Sequence, residues 1–169
     1  MIEPVEAATV VLLRDGAEGL ETLMLRRNSK LDFAGGMWVF PGGRVDPADR
    51  VGLEATDDLG AARRAAVREA HEEASIAIAE DALVPLSHWT PPDMAPKRFL
   101  TWFFIATAFA GEVSIDRGEI HDQAWMRPGD AMRRRNALEI ELMPPTWVTL
   151  EQLAGFPDVA SALVATRAR

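Results

Sequence analysis

"AAVREAHEEASIAI", from Ala65 to Ile78, places Glu69, Glu72 and Glu73 within five residues of an otherwise alanine-rich stretch. Residues three and four apart share one face of an α-helix. As a helix, the segment projects the three glutamates together and leaves Val67, Ala70 and Ala74 on roughly the opposite side. The apolar side can then pack on a sheet while the acidic side lines a cleft. Like charges at this spacing cost a few tenths of a kcal/mol per pair, roughly, in an isolated helix. A plain solvated face tolerates that cost, and Arg64 and Arg68 relieve it. Several hard oxygen ligands, with room left for water and phosphate, also describe a magnesium site. Other parts of the chain must decide between the two.

Working outward, the helix is expected to start near Asp58, whose side chain is a candidate cap, and to end around Ser75. After it "IAIA" suggests extended structure. On the N-terminal side, the polar stretch between Arg44 and Asp58 is a loop, with Pro47, Gly52 and several aspartates. Before that, the glycines around Gly35 and the "PGG" of Pro41–Gly43 bracket a short strand, "MWVF". The valine-rich run Ala7–Leu13 predicts a buried strand, and "LETLMLRR" its hairpin partner across the turn "DGAEG". "KRFLTWFFIATAFAG" is the strongest strand signal, dense in aromatic and β-branched residues. "EIHDQAWM" predicts another strand, and Pro128 opens a helix through the 130s. "MPPTW" is a break, followed by two helices, "WVTLEQLAGF" and "DVASALVATRAR". Mixed strands and helices indicate an α/β or α+β sandwich.

The 169 residues fit one domain with a proper core. A net charge of −8 argues against a general nucleic-acid binder, which needs a basic face. It leaves phosphate substrates open, because bound divalent cations reverse the local sign. No apolar run approaches a membrane span, and "MIEPVEAATVVLL" lacks the basic start of a signal peptide. The absence of cysteine excludes disulfides and cysteine-based zinc sites, and fits a reducing cytoplasm.

"FPGG" followed, after a loop, by "REAHEEASI" resembles the Nudix box. That box runs Gly, five residues, Glu, seven residues, then Arg-Glu-apolar-any-Glu-Glu-any-Gly-apolar. Gly43 stands at its first glycine, and Arg68, Glu69, Ala70, Glu72, Glu73 and Ile76 match its second half. Two positions depart from it. Ser75 replaces the last glycine, which suits a turn that needs no positive φ. The gap from Gly43 to Arg68 is too long, and Gly60 stands where the middle glutamate belongs. The loop therefore holds an insertion within about residues 44–60, and Asp46, Asp57 or Asp58 is the candidate to replace the missing carboxylate. "VFPGGRVDPAD", "HWTPPDMAPKRFLTWFF" and "MPPTWVTLEQLA" resemble an insertion-containing Nudix subgroup that includes coenzyme A diphosphatases. Leu100 stands where that subgroup has aspartate.

The resemblance implies an α/β protein: a single Nudix-fold domain over residues 1–169, an α/β/α sandwich with a mixed β-sheet and a helical C-terminal segment at about 146–169. It implies a hydrolase that cleaves the diphosphate of a nucleoside diphosphate derivative with Mg2+ or Mn2+. Coenzyme A or acyl-CoA leads, followed by ADP-ribose, NADH or a nucleotide sugar; the alternative of another class is a domain that binds a nucleotide without cleaving it. By matching positions, Glu69, Glu72 and Glu73 become metal ligands, with the Gly42 carbonyl and Glu119 as further ones. Glu72, Glu119 and Arg68 form the candidate catalytic set, Arg68 as orienting partner of the carboxylates; His121 rivals Glu119 as base. Arg27, Trp38, Phe40, Trp89 and Arg98 are the candidates for holding substrate. Asp32 stands where a coenzyme A motif would have a basic residue. The implied partner is a small nucleotide-derived substrate, with no nucleic-acid polymer and no membrane, and many relatives are homodimers.

Overall fold

The apolar run Ala7–Leu13 lies at the centre of the sheet. In the computed structural model, which describes residues 3–31, 33–107 and 112–169, it extends to β1, Val5–Gly16. Val11 and Leu13 enter the core on one face of the sheet, Val10 and Leu12 on the other. Burial on both faces is why the run is continuous rather than alternating. β1 forms the predicted hairpin with β2, Gly19–Arg27, from Leu13 opposite Thr22 to Gly16 opposite Gly19. On its other side it pairs in parallel with β6, Phe99–Thr107, from Val5 opposite Phe99 to Leu13 opposite Thr107. The short strands β3, Trp38–Val39, and β4, Gly42–Arg44, pair with β2 and β1. β5, Val84–Trp89, adds to β6, and β7, Ile120–Met126, to β2. The sheet is mixed, ordered β3-β2-β1-β6-β5, with β4 and β7 attached to β1 and β2.

Helix α1, Asp58–Ala74, covers one face through Ala62, Ala65, Ala66, Ala70 and Ala74. These small side chains let the helix lie close to the strands. Helices α2, Pro128–Asn136, α3, Pro144–Leu153, and α4, Val159–Arg167, contribute Ala131, Leu150, Leu153, Val159 and Ala162 to the core on the other face. The result is the expected α/β/α sandwich. Among the described residues no helix is long and apolar enough to cross a membrane.

Four local expectations change. Asp57, not Asp58, caps α1, its Oδ1 accepting from the Gly60 N–H at 2.9 Å. "IAIA" forms no strand; a 3-10 turn, Glu80–Ala82, follows it instead. β5 was not expected, because Pro85 and a register shift between Pro85 and Ser87 interrupt its pattern. "MPPTW" begins α3 rather than breaking the chain, since Pro144 needs no N–H in a first turn. The strand expected across "KRFLTWFFIATAFAG" is β6; Ala108 to Gly111 lie outside the described residues.

Candidate active site

Glu73 lies inside the molecule, 2% exposed, at the last turn of α1 where the helix crosses β4. Its Oε1 accepts the Gly42 N–H at 2.8 Å. Burial pushes this carboxyl up to about 8, the Gly42 N–H opposes the shift, and nearby Glu69 adds to it. Arg27 pulls it back and Glu119 pushes it further, so both residues lie within electrostatic reach of Glu73. Glu69 is also raised, chiefly by burial, against the pull of Arg68 and with further pushes from Glu72 and Glu119.

The two glycines of β4 are there for space. A Cβ on Gly43 would collide with the Glu69 carboxylate, and one on Gly42 with the Ala8 carbonyl of β1. Only a bare backbone lets β4 pair with β1 while α1 presses its acidic side against the strand.

Arg68 ties the acidic face together. Its Nε donates to Asp49 Oδ1 at 3.3 Å, and Nη2 to Asp49 Oδ2 at 3.0 Å and to the Arg44 carbonyl at 2.9 Å. Nη1 reaches Glu69 at 3.0 Å and Glu72 at 3.3 Å. The guanidinium is held above its ordinary value, chiefly by Asp49. Asp49 is 5% exposed and belongs to a 3-10 turn, Pro47–Arg50. Counted forward from Gly43, with five residues between, Asp49 is the acidic position of the box itself, an aspartate for glutamate, and the extra residues lie between it and Arg68. This corrects the placing of Gly60 there, which came from counting back across the insertion. Of the residues considered from sequence, Asp46 meets Arg68 at 3.3 Å as an exposed second partner, Asp57 caps α1, and Asp58 pairs with Arg50 at 2.9 Å. The signal for Asp49 was its spacing from Gly43, the box's glycine, five residues and acid. In the fold a short turn brings its side chain back to accept the Asp46 N–H at 2.8 Å.

The C-terminal end of α1 positions Glu119. Ser75 closes the helix in the left-handed region at φ 59°, contrary to the expectation of an ordinary turn. The Ser114 N–H donates to the Ala74 carbonyl at 3.0 Å and the Asp116 N–H to the Glu73 carbonyl at 2.9 Å. This docks the segment leading to β7 on the helix end. Asn28 then joins the two loops flanking the site: its N–H donates to the Glu119 carbonyl at 2.8 Å and its Nδ2 to the Gly118 carbonyl at 3.0 Å. Neighbouring Arg27 donates through Nε to the Phe33 carbonyl at 3.1 Å.

Glu69, Glu72, Glu73, Arg68, Gly42, Glu119 and Arg27 thus belong to one region. Trp38 and Phe40 do not: both are buried in the core on the side of α2, α3 and α4, a correction to their reading as substrate contacts. Trp89 packs partly buried against the same core, near Phe103. Arg98 is buried before β6 and pairs with Asp93 at 3.1 Å. His121 is exposed on β7, and Asp32 lies outside the described residues. Among the described residues no three acidic or histidine side chains stand together at metal-ligating spacing. Glu69 and Glu72 are turned to Arg68, and Glu73 to Gly42. What fits a hard cation is the chemistry of the donors: oxygen only, crowded with negative charge, one of them almost wholly desolvated.

A domain profile described as "NUDIX domain" matches residues 4–147. A NUDIX hydrolase from Alicyclobacillus acidocaldarius superposes with a TM-score of 0.86 at 25% identity, over 97% of each chain. A MutT NUDIX hydrolase from Burkholderia pseudomallei gives 0.66 at 25% identity, over 90% of this chain and 99% of the other. The NUDIX domain of Shewanella oneidensis NrtR, solved in complex with ADP ribose, shares the fold at 16% identity and a TM-score of 0.66, over 90% and 87% of the two chains. Comparison with curated protein sequences gave no match.

Proposed function

The chain belongs to the Nudix family, and on that premise we propose that its α1 carboxylates hold Mg2+ or Mn2+ for hydrolysis of the diphosphate in coenzyme A or an acyl-CoA. The chain is a diphosphohydrolase of nucleoside diphosphate derivatives. The observation that supports the metal reading is Glu73, a nearly inaccessible carboxylate with Glu69 and Glu119 as electrostatic neighbours. Ionising a carboxyl buried this deeply beside other carboxylates is costly unless a cation compensates it. The ligands in this reading are Glu69, Glu72, Glu73, Glu119 and the Gly42 carbonyl.

When bound, the divalent cation neutralises charge on the diphosphate oxygens and acidifies the attacking water. The chain's own contribution is placement. Gly43 gives Glu69 its room. The Gly42 N–H fixes one oxygen of Glu73. Arg68 orients Glu69 and Glu72 through its Nη1. In this reading Glu119, on the loop docked to the end of α1 and within electrostatic reach of Glu73, serves as a further ligand or takes the proton of the water. Arg27, already oriented by the Phe33 carbonyl, is the nearest candidate for a phosphate contact. The coenzyme A assignment is supported by the sequence segments shared with that subgroup. Incubating the protein with coenzyme A, acyl-CoA, ADP-ribose, NADH and nucleotide sugars in Mg2+ or Mn2+, with products identified by mass, tests it. Cleavage of coenzyme A or its acyl derivative in preference to the others is expected; preference for another diphosphate replaces that substrate. Binding without turnover replaces the hydrolytic reading with a nucleotide-binding one.

A further inference from the structure

We propose that Phe33 and Phe99 receive the nucleobase of the substrate, and that Lys97 and Arg44 bind a phosphomonoester on its ribose. The inference deepens the substrate reading above and rests on the α1 carboxylates as the place where the diphosphate is cleaved.

Two aromatic rings meet outside both core clusters. Phe33, on the loop after β2, and Phe99, at the start of β6, lie with ring centroids 5.0 Å apart and planes tilted by 53°. Both are half-buried, and neither belongs to the core that accounts for Trp38 and Phe40. The Lys97 ammonium stands 5.7 Å from the centre of the Phe33 ring, and the Arg44 guanidinium 5.9 Å from that of Phe99. Both cations are exposed, and among the described residues neither has a carboxylate partner. Every base offers a π-face, so a pair of open rings receives it by stacking. Long, flexible cationic side chains beside those rings can turn to a phosphate. In a chain of net charge −8, two cations without carboxylates around such a pair suit an anion joined to an aromatic group.

The pair is set beside the acidic site. Arg27 donates to the Phe33 carbonyl at 3.1 Å and lies within electrostatic reach of Glu73. Arg44 follows Gly43 on β4, and its carbonyl accepts from Arg68 at 2.9 Å. Along β1, Thr9 opposes Gly42 and Val5 opposes Phe99. That separation is about 13 Å of strand, a span that a nucleoside diphosphate covers. Both loops hold their shape by themselves. The Gly36 N–H donates to the Arg27 carbonyl at 3.0 Å and the Met37 N–H to the Ala34 carbonyl at 3.1 Å. A Cβ on Gly35 would strike the Leu31 and Ser29 carbonyls. Arg98, buried next to Phe99, pairs with Asp93 at 3.1 Å, and its carbonyl accepts the Val5 N–H at 2.7 Å. The rings are therefore in place before a substrate arrives.

Coenzyme A carries such a phosphate at the ribose 3′ position, a 2′-phosphorylated dinucleotide carries it at 2′, and 5′-AMP has neither. The test titrates adenosine 3′,5′-bisphosphate, adenosine 2′,5′-bisphosphate and 5′-AMP into the protein by calorimetry, in chelator, so that neither metal nor hydrolysis enters. One bisphosphate is expected to bind at least about 10-fold more tightly than 5′-AMP. A 3′ preference points to coenzyme A, and a 2′ preference puts a 2′-phosphorylated dinucleotide in its place. Phe33→Leu is expected to weaken binding of the preferred bisphosphate by about 5-fold or more, the size of a lost base stack. Lys97→Gln is expected to bring that bisphosphate within about threefold of 5′-AMP. In turnover, Lys97→Gln is expected to lower kcat/KM for coenzyme A, relative to its 3′-dephospho form, by about 10-fold. A preference below about threefold in the unsubstituted protein overturns the inference, as does Phe33→Leu binding within about twofold of it. If Phe33→Leu does not fold, Lys97→Gln, which alters an exposed side chain, decides the matter, and an undiminished preference there overturns the inference. Should the unsubstituted protein cleave no diphosphate, the hydrolytic reading fails by itself, while the titrations still decide the subsite.

Discussion

Glu73 holds its place in the fold through the Gly42 N–H, yet its charge is poorly accommodated there. Its carboxyl rises from 4.5 to about 8, mainly through burial. The folded, metal-free protein thus keeps a proton that the unfolded chain releases near the ordinary carboxylate value. Stability without metal is greatest below that value, falls as pH rises toward 8, and levels off beyond. Glu73→Gln keeps an oxygen for the Gly42 N–H and abolishes the titration. In chelator at pH 8 the variant is predicted to be the more stable protein, by on the order of 1 kcal/mol or more, and at pH 4.5 the two are predicted to match. Urea unfolding at both pH values measures this. Its hydrolytic activity is predicted to fall by about 100-fold or more. The glutamates of this site were legible in the sequence because helix geometry and the box agree on them. Asp49 was legible as well, at the box's own spacing of five residues beyond Gly43, and counting back from Arg68 across the extra residues hid it. Trp38 and Phe40 misled for a different reason: an aromatic beside a glycine-rich loop looks the same whether it faces a ligand or the core.

The helix and the strand beneath it were predictable as elements, and their junctions were not. Adjacent aspartates at 57 and 58 are equally good caps by composition, and only backbone geometry selects Asp57. Ser75 ends α1 with a positive φ that costs a non-glycine residue about 1 kcal/mol. Its hydroxyl recovers part of this by donating to the Ser114 carbonyl at 3.1 Å. Ser75→Gly is predicted to stabilise the protein by about 0.5 kcal/mol, and Ser75→Ala to destabilise it by a similar amount, both measured by urea unfolding. At the crossing of α1 and β4, the two glycines should behave differently. A methyl at Gly43 meets the movable Glu69 side chain, so Gly43→Ala is predicted to fold and lose at least 10-fold in activity. A methyl at Gly42 meets the backbone of β1, so Gly42→Ala is predicted to lose about 2 kcal/mol or more of stability. β5 escaped sequence reading because its pattern is broken by Pro85, which a strand beside β6 tolerates at a bulge.

At the scale of the whole molecule, hydrophobic patterning and helix periodicity sufficed for an α/β or α+β sandwich, and the mixed sheet between helical layers was expected only through the resemblance to the Nudix family. The order of strands was not legible, because the parallel pairing of β1 with β6 joins segments far apart in sequence. That pairing, with β4 on β1 and β7 on β2, brings Gly42, the end of α1, the loop after β2 and the loop before β7 together at one acidic region. Divalent cation should therefore stabilise the entire fold. Because protons and metal compete for Glu73 and Glu69, the rise in Tm on adding Mg2+ or Mn2+ is predicted to be larger at pH 8 than at pH 6. A shift that does not depend on pH would place the cation elsewhere. The central claim, metal-dependent hydrolysis by the α1 carboxylates, is tested most directly by one assay. Turnover of the preferred diphosphate is measured in Mg2+ or Mn2+, with and without chelator, for the unsubstituted protein, Glu72→Gln and Glu73→Gln. The account predicts turnover that chelator abolishes and that both substitutions cut by far more than threefold. Turnover that survives chelator, or that stays within about threefold in both variants, a barrier difference of roughly 0.7 kcal/mol, would contradict it.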